Sequence, residues 1–155
     1  MNSASLADSA DLNMKGLVEL YDKYENAGLE IFMFPCNQFG KELEPHKEVD
    51  IKAYSQDRWG AQFPMFHKVK VNGSETCEVF KFLRSKTPQF VDRHETPQLH
   101  EGGAVGLKIK DVPNNFCKWL VDKQGQVVDC LPGEYDDPRK LEERLRKFLG
   151  LSHMK

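Results

Sequence analysis

Apolar residues at Met14, Leu17, Val18, Tyr21 and Tyr24 recur every three or four positions, the period of a helix buried along one face. Asp11 and Asn13 are candidate N-caps for it, and Gly28 follows its end. The run Leu29-Glu-Ile-Phe-Met-Phe34 reads as a buried strand stopped by Pro35. A second helix with a mixed face is predicted over 44–58, through Val49, Ile51, Ala53 and Tyr54, and a third over 75–85, through Val79, Phe80 and Leu83. Pro64-Met-Phe66 between them is irregular, and Asn72-Gly73 is a turn. Phe116–Val121 and Gln126–Cys130 read as strands of one hairpin, with Gly125 taking the positive φ of its turn. The last helix opens with Asp137 as cap and Pro138 at its first position, and Leu141, Leu145, Phe148 and Leu149 form its stripe. Residues 86–113, rich in Pro, Gly and His, show little periodicity and read as one long loop. This order of elements predicts a single domain, an α/β sheet sandwiched by helices.

The composition fits that picture. Of the 155 residues 39% are hydrophobic and 30% charged, which suits a globular chain of one domain. The net charge of −2 offers no general field for phosphate, so neither nucleic acid nor a membrane surface is an expected partner. The first basic residue is Lys15, and the longest uncharged apolar run, Ile31 to Cys36, is far too short to span a bilayer. The expected compartment is the cytoplasm. Cysteines at 36, 77, 117 and 130 form no CxxC pair and read as reduced thiols, and no cofactor or metal is expected.

Phe34-Pro-Cys-Asn-Gln-Phe-Gly40, placed directly after a strand, resembles the signature heptad of the glutathione peroxidase family. Phe63-Pro-Met-Phe66, Val69-Lys-Val-Asn-Gly73, Phe80-Lys-Phe-Leu83 and Asn115-Phe-Cys-Lys-Trp-Leu-Val-Asp122 are similar to further blocks of that family, in the family's order. The resemblance implies a thioredoxin-like three-layer α/β sandwich and a thiol peroxidase acting in the response to oxidative stress. In that chemistry a thiolate or selenolate attacks the O–O bond of hydrogen peroxide or an organic hydroperoxide. The resulting sulfenic or selenenic acid is reduced by glutathione or a thioredoxin-like thiol. A helix N-terminus with nearby Gln, Trp and Asn donors keeps the attacking atom anionic.

Carried across residue by residue, the resemblance puts the attacking position of the family's N-V-A-S-x-C/U-G block on Ala7 of Asn2-Ser-Ala-Ser-Leu-Ala-Asp8. The place of the active-site Gln falls on Glu42 or Leu43 in Gly40-Lys-Glu-Leu-Glu-Pro45, and the Trp-Asn pair becomes Asn114-Asn115. Gln56 stands where thioredoxin-recycled members carry a second cysteine. The family also has a parallel strand ahead of this block, between the strands at 29–34 and 116–121. Its absence here suggests a truncated gene model, a sheet with open edges and a poorly soluble chain.

Plainer readings stand beside these. Cys36 is either a substitute nucleophile or, more simply, a packed thiol; Cys77, Cys117 and Cys130 read as inert. His94, Glu95, His100 and Glu101 match no common zinc spacing and read as solvated loop residues. Arg139, Lys140, Arg144, Arg146 and Lys147 alternate with acids and read as a solvated helix face rather than a glutathione site. The length of 86–113 resembles that of tetrameric members, so a homo-oligomer through this loop is an expectation alongside a free loop. Two functions follow: a peroxidase by ancestry with its nucleophile replaced, or a catalytically inactive thioredoxin-fold binding domain.

Overall fold

A computed structural model describes residues 1–40, 43–45, 47–92, 98–99, 105–106 and 108–151. Helix α1 (Ala10–Tyr24) buries Ala10, Asn13, Met14, Gly16, Leu17 and Leu20, the face its spacing predicts. It begins earlier than Asp11 or Asn13 would allow as caps. Ser9 holds the N-cap position, Asp11 turns instead to the indole of Trp59 at 2.8 Å, and Asn13 is buried inside the helix. Gly16 lets the helix touch the C-terminal segment, since a Cβ there would sit 3.1 Å from Pro138 Cδ. A short 3₁₀ turn, Glu25–Ala27, closes on Gly28 at φ +101°, the left-handed position that favours glycine.

The chain's first residues lie where an open gap was expected. Strand β1 (Asn2–Ser3) runs parallel to β2 (Phe34–Pro35), with Asn2 opposite Phe34 and Ser3 opposite Pro35. On its other side Asn2 C=O accepts from Phe116 N–H at 3.1 Å, and Asn2 Oδ1 accepts from Cys117 N–H at 3.0 Å. Three N-terminal residues therefore bridge the two segments at one end. The regular strand expected over Leu29–Phe34 shrinks to Phe34–Pro35 plus a bridge from Met33 to Met65. The cause is local. Among the described residues only Met1–Ser3 bond along this edge, and Leu29–Glu30 have no ladder partner there.

Helix α2 (Glu48–Trp59) starts four residues later than expected, after Pro45, because Glu44 is held elsewhere by Ser5. Helix α3 (Glu78–Lys86) follows the turn whose Gly73 has φ +85°. The 86–113 region is more ordered than a loop in its described parts. Strands β3 (Val91–Asp92) and β6 (Lys108–Ile109) pair antiparallel, as do β4 (Gln98–Leu99) and β5 (Val105–Gly106). No apolar alternation in the sequence announces these two pairs. The buried Arg84 anchors the end of this region by donating to the carbonyls of Val71, Ile109 and Lys110 and to the carboxylate of Asp111.

Strands β7 (Lys118–Val121) and β8 (Val127–Leu131) form the expected hairpin, with Gly125 at φ +78° and Asp122 Oδ1 accepting from Gln124 and Gln126 N–H. Asp137 caps the final segment by accepting from Arg139 N–H. A 3₁₀ turn at Pro138–Leu141 then leads into α4 (Glu142–Phe148). Two apolar clusters flank the strands. Met33 enters one with α1, Trp59, Phe63 and Phe116, and Phe34 enters the other with Val71, Phe80, Phe90 and Val112. Adjacent residues of one extended segment thus serve opposite faces, the period of two that a layered α/β fold requires.

Candidate functional site

The loop between β1 and α1 carries the first candidate position. Ala7 N–H donates to Ala4 C=O at 3.2 Å, and Ala10 N–H donates to Ala7 C=O at 2.9 Å, so two linked turns deliver the chain into α1. Position 7 therefore stands just ahead of a helix N-terminus, where backbone N–H groups favour an anion. The side chain there is a methyl group, 9% exposed, in the apolar cluster that also holds Ala4, Ala10, Trp59 and Phe116. It carries no lone pair and no titratable proton, and so cannot open an O–O bond.

Residues 43 and 44 reach this loop from the other side. Leu43 packs on the edge of the same cluster and its C=O accepts from Leu6 N–H at 2.7 Å. Glu44 is almost wholly buried. Its carboxylate accepts from Ser5 N–H at 3.0 Å and from Ser5 Oγ at 2.6 Å. Burial pushes its carboxyl up to about 7, with the two Ser5 bonds and the charge of Lys68 opposing that rise. Of the two residues proposed for the Gln place, Leu43 is brought to the site and offers no side-chain donor, while Glu42 lies outside the described residues. Sequence reasoning passed over Glu44 and Ser5. No signal in the sequence marks them, because Glu44 stands in a polar stretch and reads as a solvated glutamate.

The 114–116 segment completes the surroundings. Asn114 C=O accepts from Asn2 Nδ2 at 3.0 Å. Asn115 is buried, and its Oδ1 has no hydrogen-bond partner among the described residues. Phe116 stands at φ +55°, a conformation rare for an aromatic residue, and its ring is fully buried beside Ala7's cluster. Lys118 secures this turn. Its ammonium donates to Phe116 C=O at 2.6 Å, Asn13 Oδ1 at 2.8 Å and Gly133 C=O at 3.0 Å, and burial pulls it down to about 8. The structure thus gathers positions 7, 43 and 116 around one apolar cluster, with Asn115 one residue away.

The cysteines lie elsewhere. Cys36 is buried in the opposite cluster with Val71 and Phe80, and burial pushes its thiol up, with Gln38 and Val71 opposing. Cys117 and Cys130 share that cluster with sulfurs 3.9 Å apart, and all four cysteines are free. Burial first, then the neighbouring Cys130 sulfur, raises the Cys117 thiol far above the ordinary range. His94, Glu95, His100 and Glu101 lie outside the described residues. Arg139 pairs with Asp137 and Glu19, Lys140 with Asp136 and Arg144 with Asp129, in keeping with the solvated-face reading. Gln56 lies half-buried near the end of α2.

Comparison with known proteins places this arrangement in an evolutionary setting. The sequence model of the glutathione peroxidase family matches residues 1–84. A putative chloroplastic glutathione peroxidase 7 of Arabidopsis thaliana is 40% identical over 150 residues, covering 97% of this chain and 56% of that protein. A probable phospholipid hydroperoxide glutathione peroxidase of Mesembryanthemum crystallinum is 38% identical over 152 residues, covering 98% of this chain and 78% of that protein. The chain therefore spans little more than half of the first relative and about four fifths of the second. Among solved structures, Trgpx in apo form superposes with a TM-score of 0.62 at 20% identity, covering 96% of this chain and 77% of that one. T. cruzi GPX1 superposes with a TM-score of 0.59 at 24% identity, covering 96% and 78%. Those superpositions establish the thioredoxin-like α/β fold. Matched by its sequence model over more than half of its length and by relatives over nearly all of it, the chain belongs to the glutathione peroxidase family.

Proposed function

We propose that this chain is a glutathione peroxidase-type domain, peroxidase by ancestry, that has lost peroxide reduction and acts as a thioredoxin-fold binding domain. The observation that carries this reading is the methyl group of Ala7, buried in an apolar cluster at the position that would hold the attacking sulfur or selenium. Leu43 beside it supplies no side-chain donor, and the buried Cys36 thiol packs in the opposite cluster with its proton held more tightly than usual. Reduction of a peroxide needs an anion that gives two electrons to oxygen and becomes a sulfenic acid. Neither place offers one at neutral pH.

In this reading any binding of glutathione or a thioredoxin-like protein is without turnover, and the compartment is the cytoplasm. No described helix is long and apolar enough to cross a membrane. Relatives with chloroplastic and mitochondrial names make cell fractionation the test of the compartment. Activity is tested by coupled assays with hydrogen peroxide and a lipid hydroperoxide, with glutathione or thioredoxin as reductant. The wild-type chain is expected to match an unrelated protein of equal cysteine content. Ala7→Cys is expected to add little, because Leu43 and Asn114 leave the new thiol without the family's donors. Full recovery by that single change would show that the donor shell matters less than argued.

A further inference from the structure

Two buried sulfurs on neighbouring strands take no part in the site around Ala7. Strands β7 and β8 are registered with Trp119 opposite Cys130. Successive side chains of a strand alternate faces, so Cys117, two residues before Trp119, shares the face of Trp119 and Cys130. The two Sγ atoms stand 3.9 Å apart, and both thiols are free. Both backbones are pinned. Cys117 N–H donates to Asn2 Oδ1 at 3.0 Å, and Cys130 C=O accepts from Gln89 Nε2 at 3.3 Å. The pair shares its apolar cluster with Phe34, Val71, Phe80, Phe90 and Val112. Cys117 is wholly buried, while Cys130 keeps 9% of its surface exposed, so the pair meets solvent on the Cys130 side.

The spacing suits one ion held between two thiolates. At about 2.3 Å per metal–sulfur bond, sulfurs 3.9 Å apart subtend about 116° at a shared ion, between the tetrahedral and trigonal angles. A straight S–metal–S unit would need each sulfur to move outward by only about 0.35 Å. The donor set then selects the ion. Among the described residues no group of three or more His, Cys, Asp and Glu side chains could hold a metal, so a structural zinc, which takes four such ligands, is not served. Calcium and magnesium need oxygens. Two thiolates in an apolar shell suit a soft ion content with few ligands, and that ion is copper(I). The charges agree. Two thiolates and one Cu⁺ sum to a single negative charge, and the Lys118 ammonium, fixed by three acceptors beside Cys117, is placed to offset it. Its charge favours a thiolate at Cys117, and charge on either sulfur favours the ammonium in return.

We propose that Cys117 and Cys130 form a buried copper(I) site in which the two sulfurs share one Cu⁺. Two S–H bonds are exchanged for two S–Cu bonds, two protons leave to solvent, and no electron is transferred. Burial keeps the metal-free Cys117 thiol firmly protonated, so the pair is inert until an ion supplies metal–sulfur bonds strong enough to displace the protons. This site stands on other residues than the loss at Ala7 and holds whether or not the chain reduces a peroxide.

The test uses the full 155-residue chain carrying Cys77→Ser, which removes the partly exposed thiol and leaves the three buried ones. Copper(I) is supplied without oxygen as its acetonitrile complex and competed against a bathocuproine chelator. The expected result is one copper per chain, with two sulfur neighbours in its X-ray absorption spectrum. Cys117→Ala and Cys130→Ala in this background should each weaken binding at least about a hundredfold, since loss of a mere supporting group already costs ten- to a hundredfold. Far-ultraviolet spectra establish that both variants fold. The sulfur count is read on the folded parent, so a variant that fails to fold leaves the proposal testable. Zinc(II) should not be retained under the same competition. Copper uptake no greater than that of an unrelated protein with buried thiols overturns the proposal, and would make the pair simple apolar packing. So does a bound copper with fewer than two sulfur neighbours, undiminished binding to either folded variant, or zinc held as firmly as copper. Loss of binding in Cys36→Ala with both other variants unaffected would move the ion to that thiol and overturn the assignment.

Discussion

Glu44 makes stability depend on pH in a direction opposite to that of most paired carboxylates. Its carboxyl sits at about 7 in the folded protein against an ordinary value of 4.5, because burial outweighs the two bonds from Ser5. Between those two values the folded state holds a proton that the unfolded state has released, so stability must fall as pH rises. The slope there is about 1.4 kcal/mol per pH unit, and the whole step comes to about 3 kcal/mol. The contribution is fully present below pH 4.5 and gone above pH 7. Glu44→Gln cannot titrate and keeps an oxygen for Ser5 N–H, so its own profile lacks this step. Urea unfolding of both proteins at half-unit intervals from pH 4.5 to 8 isolates it, since all other groups cancel in the difference. Wild type should lose about 3 kcal/mol relative to Glu44→Gln across that range. A flat difference, or one that favours wild type as pH rises, would show that the Ser5 bonds dominate and that burial does not govern this carboxyl.

Lys118→Met should lower unfolding free energy by about 3 kcal/mol, because three buried acceptors lose their donor at once; calorimetry showing an unchanged midpoint would contradict the role assigned to that ammonium. Thiol titration with a disulfide reagent should find one fast group in the native chain, Cys77, and three more only on unfolding, since Cys36, Cys117 and Cys130 are buried. If the region 86–113 builds a subunit interface, light scattering at micromolar concentration will give a mass above that of one chain, and a strict monomer rules the interface out.

Much of this fold was legible because local chemistry and packing agree. The stripe on α1, the Asp122–Gly125 turn and the Asp137-Pro138 cap each predicted the element that forms there. Where the reading strayed, the deciding partner lay far away in sequence. Leu29–Phe32 looks like a strand from its apolar run, yet a strand needs a neighbour, and among the described residues the partners, Met1–Ser3 and Pro64–Phe66, reach mainly Met33 and beyond. Asp11 looked like a cap, but the Trp59 indole 48 residues on takes its carboxylate. The strand pairs described within 86–113 depend on main-chain pairing and the Arg84 anchor, neither of which leaves an apolar rhythm. At the candidate site the same division holds. Ala7 was placed by motif, and the structure surrounds it with Leu43 and Phe116. The Ser5–Glu44 clamp remained hidden because a buried carboxylate in a polar stretch looks like any solvated glutamate.

The central claim is that position 7 and its surroundings supply no group able to reduce a peroxide. Single-turnover mixing of the fully reduced chain with hydrogen peroxide, followed by mass spectrometry of all four cysteines, tests it without assuming a reductant. The account predicts no sulfenic acid or disulfide faster than in an unrelated protein with buried thiols. Rapid oxidation confined to Cys36, with turnover on adding glutathione and loss of both in Cys36→Ser, would contradict it and make Cys36 the nucleophile.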